Sequence, residues 1–148
     1  MLANSILKGA LFCSLLLVTS YVDIKKRMIP NRLCLLIAMT GLINFSPVNL
    51  FGIFVALPFL IAAMSKENSI GGGDIKLTAT VGIVLGFWNG MYGIIIALSI
   101  LLLFYIILIA AAKVRKKQVG KNLSMPLAPF LGIGFTAIYF INLGGNNL

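Results

Sequence analysis

Six apolar stretches fill most of this chain, at about residues 2–22, 31–45, 48–64, 75–88, 91–112 and 126–143, separated by short polar or basic breaks. In hydrocarbon, an unpaired backbone N–H or C=O costs several kcal/mol, so only helices and closed barrels can span a membrane. The stretches lack the period-two alternation of barrel strands. With 60% hydrophobic and 10% charged residues and a mean hydropathy of +1.07, a soluble domain could not hide the apolar surface. The expected fold is therefore all-α: a polytopic membrane bundle of about six transmembrane helices, forming one domain over residues 1–148. The first stretch has only Lys8 ahead of its core and ends in Asp23-Ile24-Lys25-Lys26-Arg27 rather than a small-residue cleavage site. It reads as a retained helix, not a signal peptide.

The net charge of +9 does not point to nucleic acid, because the cations cluster in short loops. Lys25, Lys26, Arg27, Arg32, Lys66, Lys76, Lys113, Arg115, Lys116, Lys117 and Lys121 follow the first, third and fifth stretches, whereas the opposite side has only Lys8. Under the positive-inside rule, this asymmetry places those loops in the cytoplasm and both termini outside. Cys13 and Cys34 lie far apart in apolar stretches, and histidine is absent. Neither a disulfide framework nor a zinc or haem site is expected, and no cofactor is called for.

Against this background the carboxylates stand out, since ionisable groups at membrane depth mark function by default. There are three: Asp23, Glu67 and Asp74. Asp23 closes the first stretch, ahead of three cations and Ile29-Pro30-Asn31. An aspartate at a helix C-terminus opposes the macrodipole and is a poor structural choice. Pro30 disfavours helix at Ile29, and Asn31 is suited to cap the second stretch. Asp74 follows Gly71-Gly72-Gly73 and is expected in the first turn of the next helix, where the dipole favours it. The glycines would permit positive φ and close approach of another backbone. Counting back from Trp88 as an interfacial anchor, 14 residues or roughly 21 Å of helix reach Asp74, short of a full span. Two aspartates in one partly dry site would share a proton and titrate together. One serves as general base on water and the other as acid to a carbonyl.

Asp23 with Ile29-Pro30-Asn31, then Gly71-x-Gly73-Asp74-Ile75-Lys76-Leu77, then Pro126-Leu127-Ala128-Pro129-Phe130, resembles in order the motifs of the type IV prepilin peptidase family, the G-x-G-D membrane aspartic proteases. The resemblance implies removal of a short leader from prepilins or pseudopilins at the cytoplasmic face of the bacterial inner membrane. Asp23 and Asp74 would be the catalytic pair, with no metal. The chain lacks the paired-cysteine extension of the larger bifunctional members. It is similar to the protease-only branch associated with tight-adherence (Flp-type) pili, so methyl transfer is not expected.

Other residues receive plainer readings. Gly71, Gly73, Lys76, Pro126 and Pro129 are candidates for binding substrate or shaping the site, Lys76 also for meeting lipid phosphate. Glu67 reads as a solvated loop charge. Gly82, Gly86, Gly93, Gly132 and Gly134 read as helix-packing positions. The expected partners are the prepilin substrate and the lipid bilayer; oligomeric state is not written in the sequence. The rival function is a non-enzymatic transporter or proton-binding protein, since membrane aspartates serve ion paths as well.

Overall fold

The computed structural model describes residues 2–43, 45–65, 71–114 and 126–145. Its elements are α1 (Leu2–Lys26), α2 (Asn31–Thr40), a 3-10 helix (Pro47–Ala56) running into α3 (Leu57–Ser65), α4 (Gly72–Leu85), α5 (Phe87–Val114) and α6 (Ala128–Gly145). No strand occurs among the described residues. The all-α membrane bundle expected from the sequence is the observed architecture. Three helical stretches are long and apolar enough to cross a membrane: Ala3–Lys26, Pro47–Ser65 and Phe87–Lys113.

The core is a seam to which all seven described helical elements contribute. Phe12 and Leu16 of α1, Ile37 of α2, Leu77 and Val81 of α4, and Leu131 and Phe135 of α6 are all essentially inaccessible. Outside it, apolar side chains such as Leu17, Leu35, Ile61, Leu103 and Ile107 stay exposed. In α5, only 11% of the most apolar stretch is buried within the bundle. Lipid is the solvent that tolerates such a surface. With lipid outside, no hydrophobic drive pushes the helices together, so association rests on close packing and small residues. A Cβ added to Gly134 would overlap the Gly93 carbonyl where α6 meets α5, and one added to Gly132 would lie 3.0 Å from Ser20 Oγ where α6 meets α1.

The tightest crossing joins the 3-10 helix to α4. A Cβ on Gly52 would collide with the Gly82 carbonyl oxygen, and one on Gly82 with that of Gly52. Ten consecutive 3-10 residues are far more than the usual one turn. The narrower 3-10 cylinder and the two facing glycines together let the backbones touch.

Two boundaries differ from expectation. The break expected around Asn89-Gly90 falls at Gly86, whose φ of 82° ends α4. Trp88 and Asn89 belong to α5, and Asn89 Nδ2 donates to the Leu85 carbonyl at 3.1 Å across the break. Gly86 is thus a turn residue rather than a packing one. The third stretch begins as a 3-10 helix instead of an α-helix. Lys66, Glu67 and the cations from Arg115 to Lys121 lie outside the described residues.

Candidate active site

Asp23 and Asp74 reach one cavity of about 300 Å³ at the end of the bundle where α1 stops and α4 starts. One wall is the exit from α1, with Arg27, Met28 and Ile29; the other is the Gly71–Gly73 run and Lys76. Arg27 makes the sharp exit possible. Its φ is 51°, in the left-handed region where glycine is usual, and its N–H bonds the Asp23 carbonyl at 2.8 Å to close the helix. A non-glycine residue in that region is strained, and such strain clusters at functional sites.

The awkward position of Asp23 has a structural answer. It opposes the dipole of its own helix, but Oδ2 accepts the Ala128 N–H at 3.2 Å, at the first residue of α6. The positive end of α6 therefore faces the carboxylate. Both prolines of Pro126-Leu127-Ala128-Pro129 serve this arrangement: Pro126 leads into the helix, and Pro129 sits where a missing N–H costs nothing. Ser20 Oγ, within one turn of Asp23, bonds the Leu16 carbonyl at 2.8 Å and reaches the Ala128 carbonyl at 3.4 Å. Asp23 is buried. The Ala128 donor is a functional group that sequence reasoning missed, because a backbone N–H carries no side-chain signal. Only the proline spacing pointed to that segment.

Asp74 occupies the first turn of α4, as expected. The glycines before it act differently from the expectation. Gly71 has φ −67°, Gly72 and Gly73 are helical, and Gly86 is the only glycine at positive φ among the described residues. Gly73 is instead a contact position, where an added Cβ would lie 3.1 Å from Ile29 Cβ and 3.3 Å from Ile29 N. The two aspartate motifs pack directly on each other there. A Cβ on Gly72 would meet nothing within 4 Å.

Lys76 Nζ donates to Asn31 Oδ1 at 3.1 Å. Asn31 therefore does not cap α2, which starts with no side-chain cap bond; its amide ties α2 to α4 across the site. Lys76 thus bridges α4 to the first residue of α2.

Asp74 lies just ahead of the fourth apolar stretch. Burial first, and the nearby Asp23 charge second, push its carboxyl up to about 6. Its Oδ1 is shielded from solvent and has no hydrogen-bond partner among the described residues. A buried acceptor left unmatched is uncommon outside sites that receive a reacting group. Unfolded, the carboxyl returns to about 3.8. Between about 3.8 and 6 the folded chain holds a proton that the unfolded chain has released, so stability falls as pH rises through this window. Asp74→Asn should therefore stabilise the protein above pH 6, by on the order of 1 kcal/mol after allowance for partial exposure. The thermal midpoint should rise about 2–4 °C. Melting curves at neutral pH and below the unfolded carboxylate range check this, since the gain should vanish in acid.

Comparison with known proteins follows the same residues. The type IV leader peptidase family matches residues 10–112, which include both aspartates. The prepilin leader peptidase/N-methyltransferase of Bacillus subtilis (strain 168) is 30% identical over 145 residues, covering 88% of this chain and 54% of that protein. The chain thus spans about half the length of this curated relative. No solved structure matches.

Proposed function

Because the chain belongs to the type IV leader peptidase family, we propose that it is a membrane aspartic endopeptidase that removes the leader from type IV prepilins or pseudopilins. The observation that carries this is the meeting of Asp23 and Asp74 in one small cavity at one end of the bundle. A transporter has less support, since the described carboxylates are gathered at a single end instead of spaced along a path.

The pair shares one proton. Asp23, held by the Ala128 N–H at the positive end of α6, is the base that takes a proton from water. The water oxygen attacks the scissile carbonyl carbon while Asp74, with its carboxyl raised to about 6, donates its proton to the carbonyl oxygen. The resulting gem-diol collapses with rupture of the C–N bond. Asp23 returns its proton to the leaving amine, and Asp74 recovers one from the diol. Gly71, Gly73, Lys76, Pro126 and Pro129 shape the cavity and hold the pair in register.

The cytoplasmic face of the bacterial inner membrane is the proposed place of cleavage. Lys25, Lys26, Arg27, Arg32 and Lys76 all flank the aspartate motifs, and the positive-inside rule supports a cytoplasmic position for such an end. A substrate whose hydrophobic helix lies in the bilayer would present the leader–helix junction at that level.

The deciding experiment incubates the protein, in liposomes, with full-length prepilins of the same genome and maps the product N-terminus by mass spectrometry. The expected cut is at the leader–helix boundary. A soluble leader peptide should be cleaved with kcat/KM lower by about tenfold or more, because membrane tethering raises the local substrate concentration. A cut deep inside the hydrophobic helix, or no cut in any prepilin, would defeat the proposal.

A further inference from the structure

At the end of the bundle opposite the aspartates lies a second polar cavity, of about 320 Å³, that leader hydrolysis does not use. Ser5 and Lys8 of α1, Asn49 of the 3-10 helix, Asn89 of α5, and Tyr139 and Asn142 of α6 converge on it. Lys8 is the unusual member. It is a lysine on an apolar helix, only 7% exposed, whose Nζ donates to the Val84 carbonyl at 3.2 Å. An ammonium has three N–H donors, which leaves two for an occupant of the cavity. The described carboxylates cannot neutralise it, because Asp23 lies 15 residues further along α1, about 22 Å of helix. A buried charge without an opposite charge is costly, so the site favours an anion.

The other polar groups restrict which anion. Tyr139 O–H donates to the Ser5 carbonyl at 2.5 Å. The Asn142 amide donates to Asn89 Oδ1 at 3.2 Å and to the Ile138 carbonyl at 2.9 Å, and Asn89 Nδ2 donates to Leu85. The Tyr139 and Asn142 donors are thus engaged, while Asn89 keeps one amide N–H and Asn49 adds its own side-chain amide. The Tyr139 oxygen and Asn142 Oδ1 retain lone pairs that can accept. The cavity therefore offers one cation and amide N–H groups for a negative group, and acceptors for hydroxyl groups beside it. Asn89 adjoins Trp88, an exposed aromatic of the kind that sits at headgroup depth.

We infer that this cavity binds the headgroup of an anionic, hydroxyl-bearing phospholipid of the phosphatidylglycerol type. Lys8 holds the phosphodiester, and the Tyr139 and Asn142 oxygens accept from the glycerol hydroxyls. A choline headgroup fits poorly, because its cation would face Lys8 and it has no O–H to donate. Inorganic phosphate shares the charge but not the acyl chains that would anchor it beside the apolar helices.

The test is native mass spectrometry of the full chain in detergent with equal amounts of dioleoyl phosphatidylglycerol, phosphatidylmethanol and phosphatidylcholine. The wild type should retain phosphatidylglycerol over phosphatidylcholine by about tenfold, with phosphatidylmethanol between them. Lys8→Met should abolish the preference for both anionic lipids. Asn142→Leu should bring phosphatidylglycerol down to the level of phosphatidylmethanol. Equal retention of all three lipids by the wild type, or a preference that survives Lys8→Met, would overturn the inference. Displacement of the lipid by millimolar inorganic phosphate would assign the cavity to a free anion and overturn the headgroup reading. If Lys8→Met fails to fold, the wild-type competition still decides the question.

Discussion

Asp23→Asn and Asp74→Asn are each expected to lower leader cleavage by at least about 10³-fold while leaving the bundle assembled. Each removes one half of a proton relay, a loss typically worth 10²–10⁴-fold per transfer. Asparagine keeps the shape of both side chains, and its carbonyl at position 23 can still accept the Ala128 N–H. Helix content and membrane insertion should therefore match the wild type. Single-turnover cleavage of a full-length prepilin by purified variants is the measurement. Substantial activity in Asp74→Asn would remove that residue from the chemistry, whatever happened at Asp23. In the wild type, kcat/KM should decline as pH rises through about 6, where the shared proton is lost.

The next largest effect is expected far from the carboxylates, at Gly82→Ala. The new methyl would overlap the Gly52 carbonyl oxygen, and backbone cannot move aside as a flexible side chain can. Overpacking of this kind costs about 1–3 kcal/mol, and a backbone clash belongs at the upper end. The displaced helix is α4, whose opposite end carries Asp74. A shift of about 1 Å there can cost on the order of 10²-fold in rate. Gly52→Ala should have a matching effect, whereas Gly72→Ala should leave the thermal midpoint nearly unchanged, because a methyl there meets nothing in the fold. Thermal midpoints and cleavage rates of the three variants check both sides of the comparison.

Sequence and structure agree most closely where the signal is chemical. The two aspartates, the proline pair and the apolar stretches were legible because carboxylates, prolines and long apolar runs are rare or costly in alternative settings. Geometry between distant segments was not legible. Asn31 carried the composition of a helix cap, yet its partner is Lys76, 45 residues away, and no local rule could select it. Asn89-Gly90 has the composition of a break, but the turn falls at Gly86 because the Asn89 side chain bonds back across it. The glycines before Asp74 suggested left-handed backbone; they are instead a matter of volume. Lys8 was visible only as one charge in a topology count, since its burial depends on how four other elements close around it.

The contact between Gly73 and Ile29 has a consequence for how such a chain can change over generations. The two positions occupy adjoining parts of a single space, although 44 residues separate them in the chain. A methyl gained at 73 would crowd Ile29 Cβ and its backbone N, atoms that every residue except glycine keeps at position 29, so a smaller side chain there gives little room. Room at 73 therefore has to come from a shift of the backbone that leaves α1, and with it of the segment next to Asp23. The pair is inherited as one spatial character, and the first and second motifs are tied by that shared space before any chemistry is asked of them.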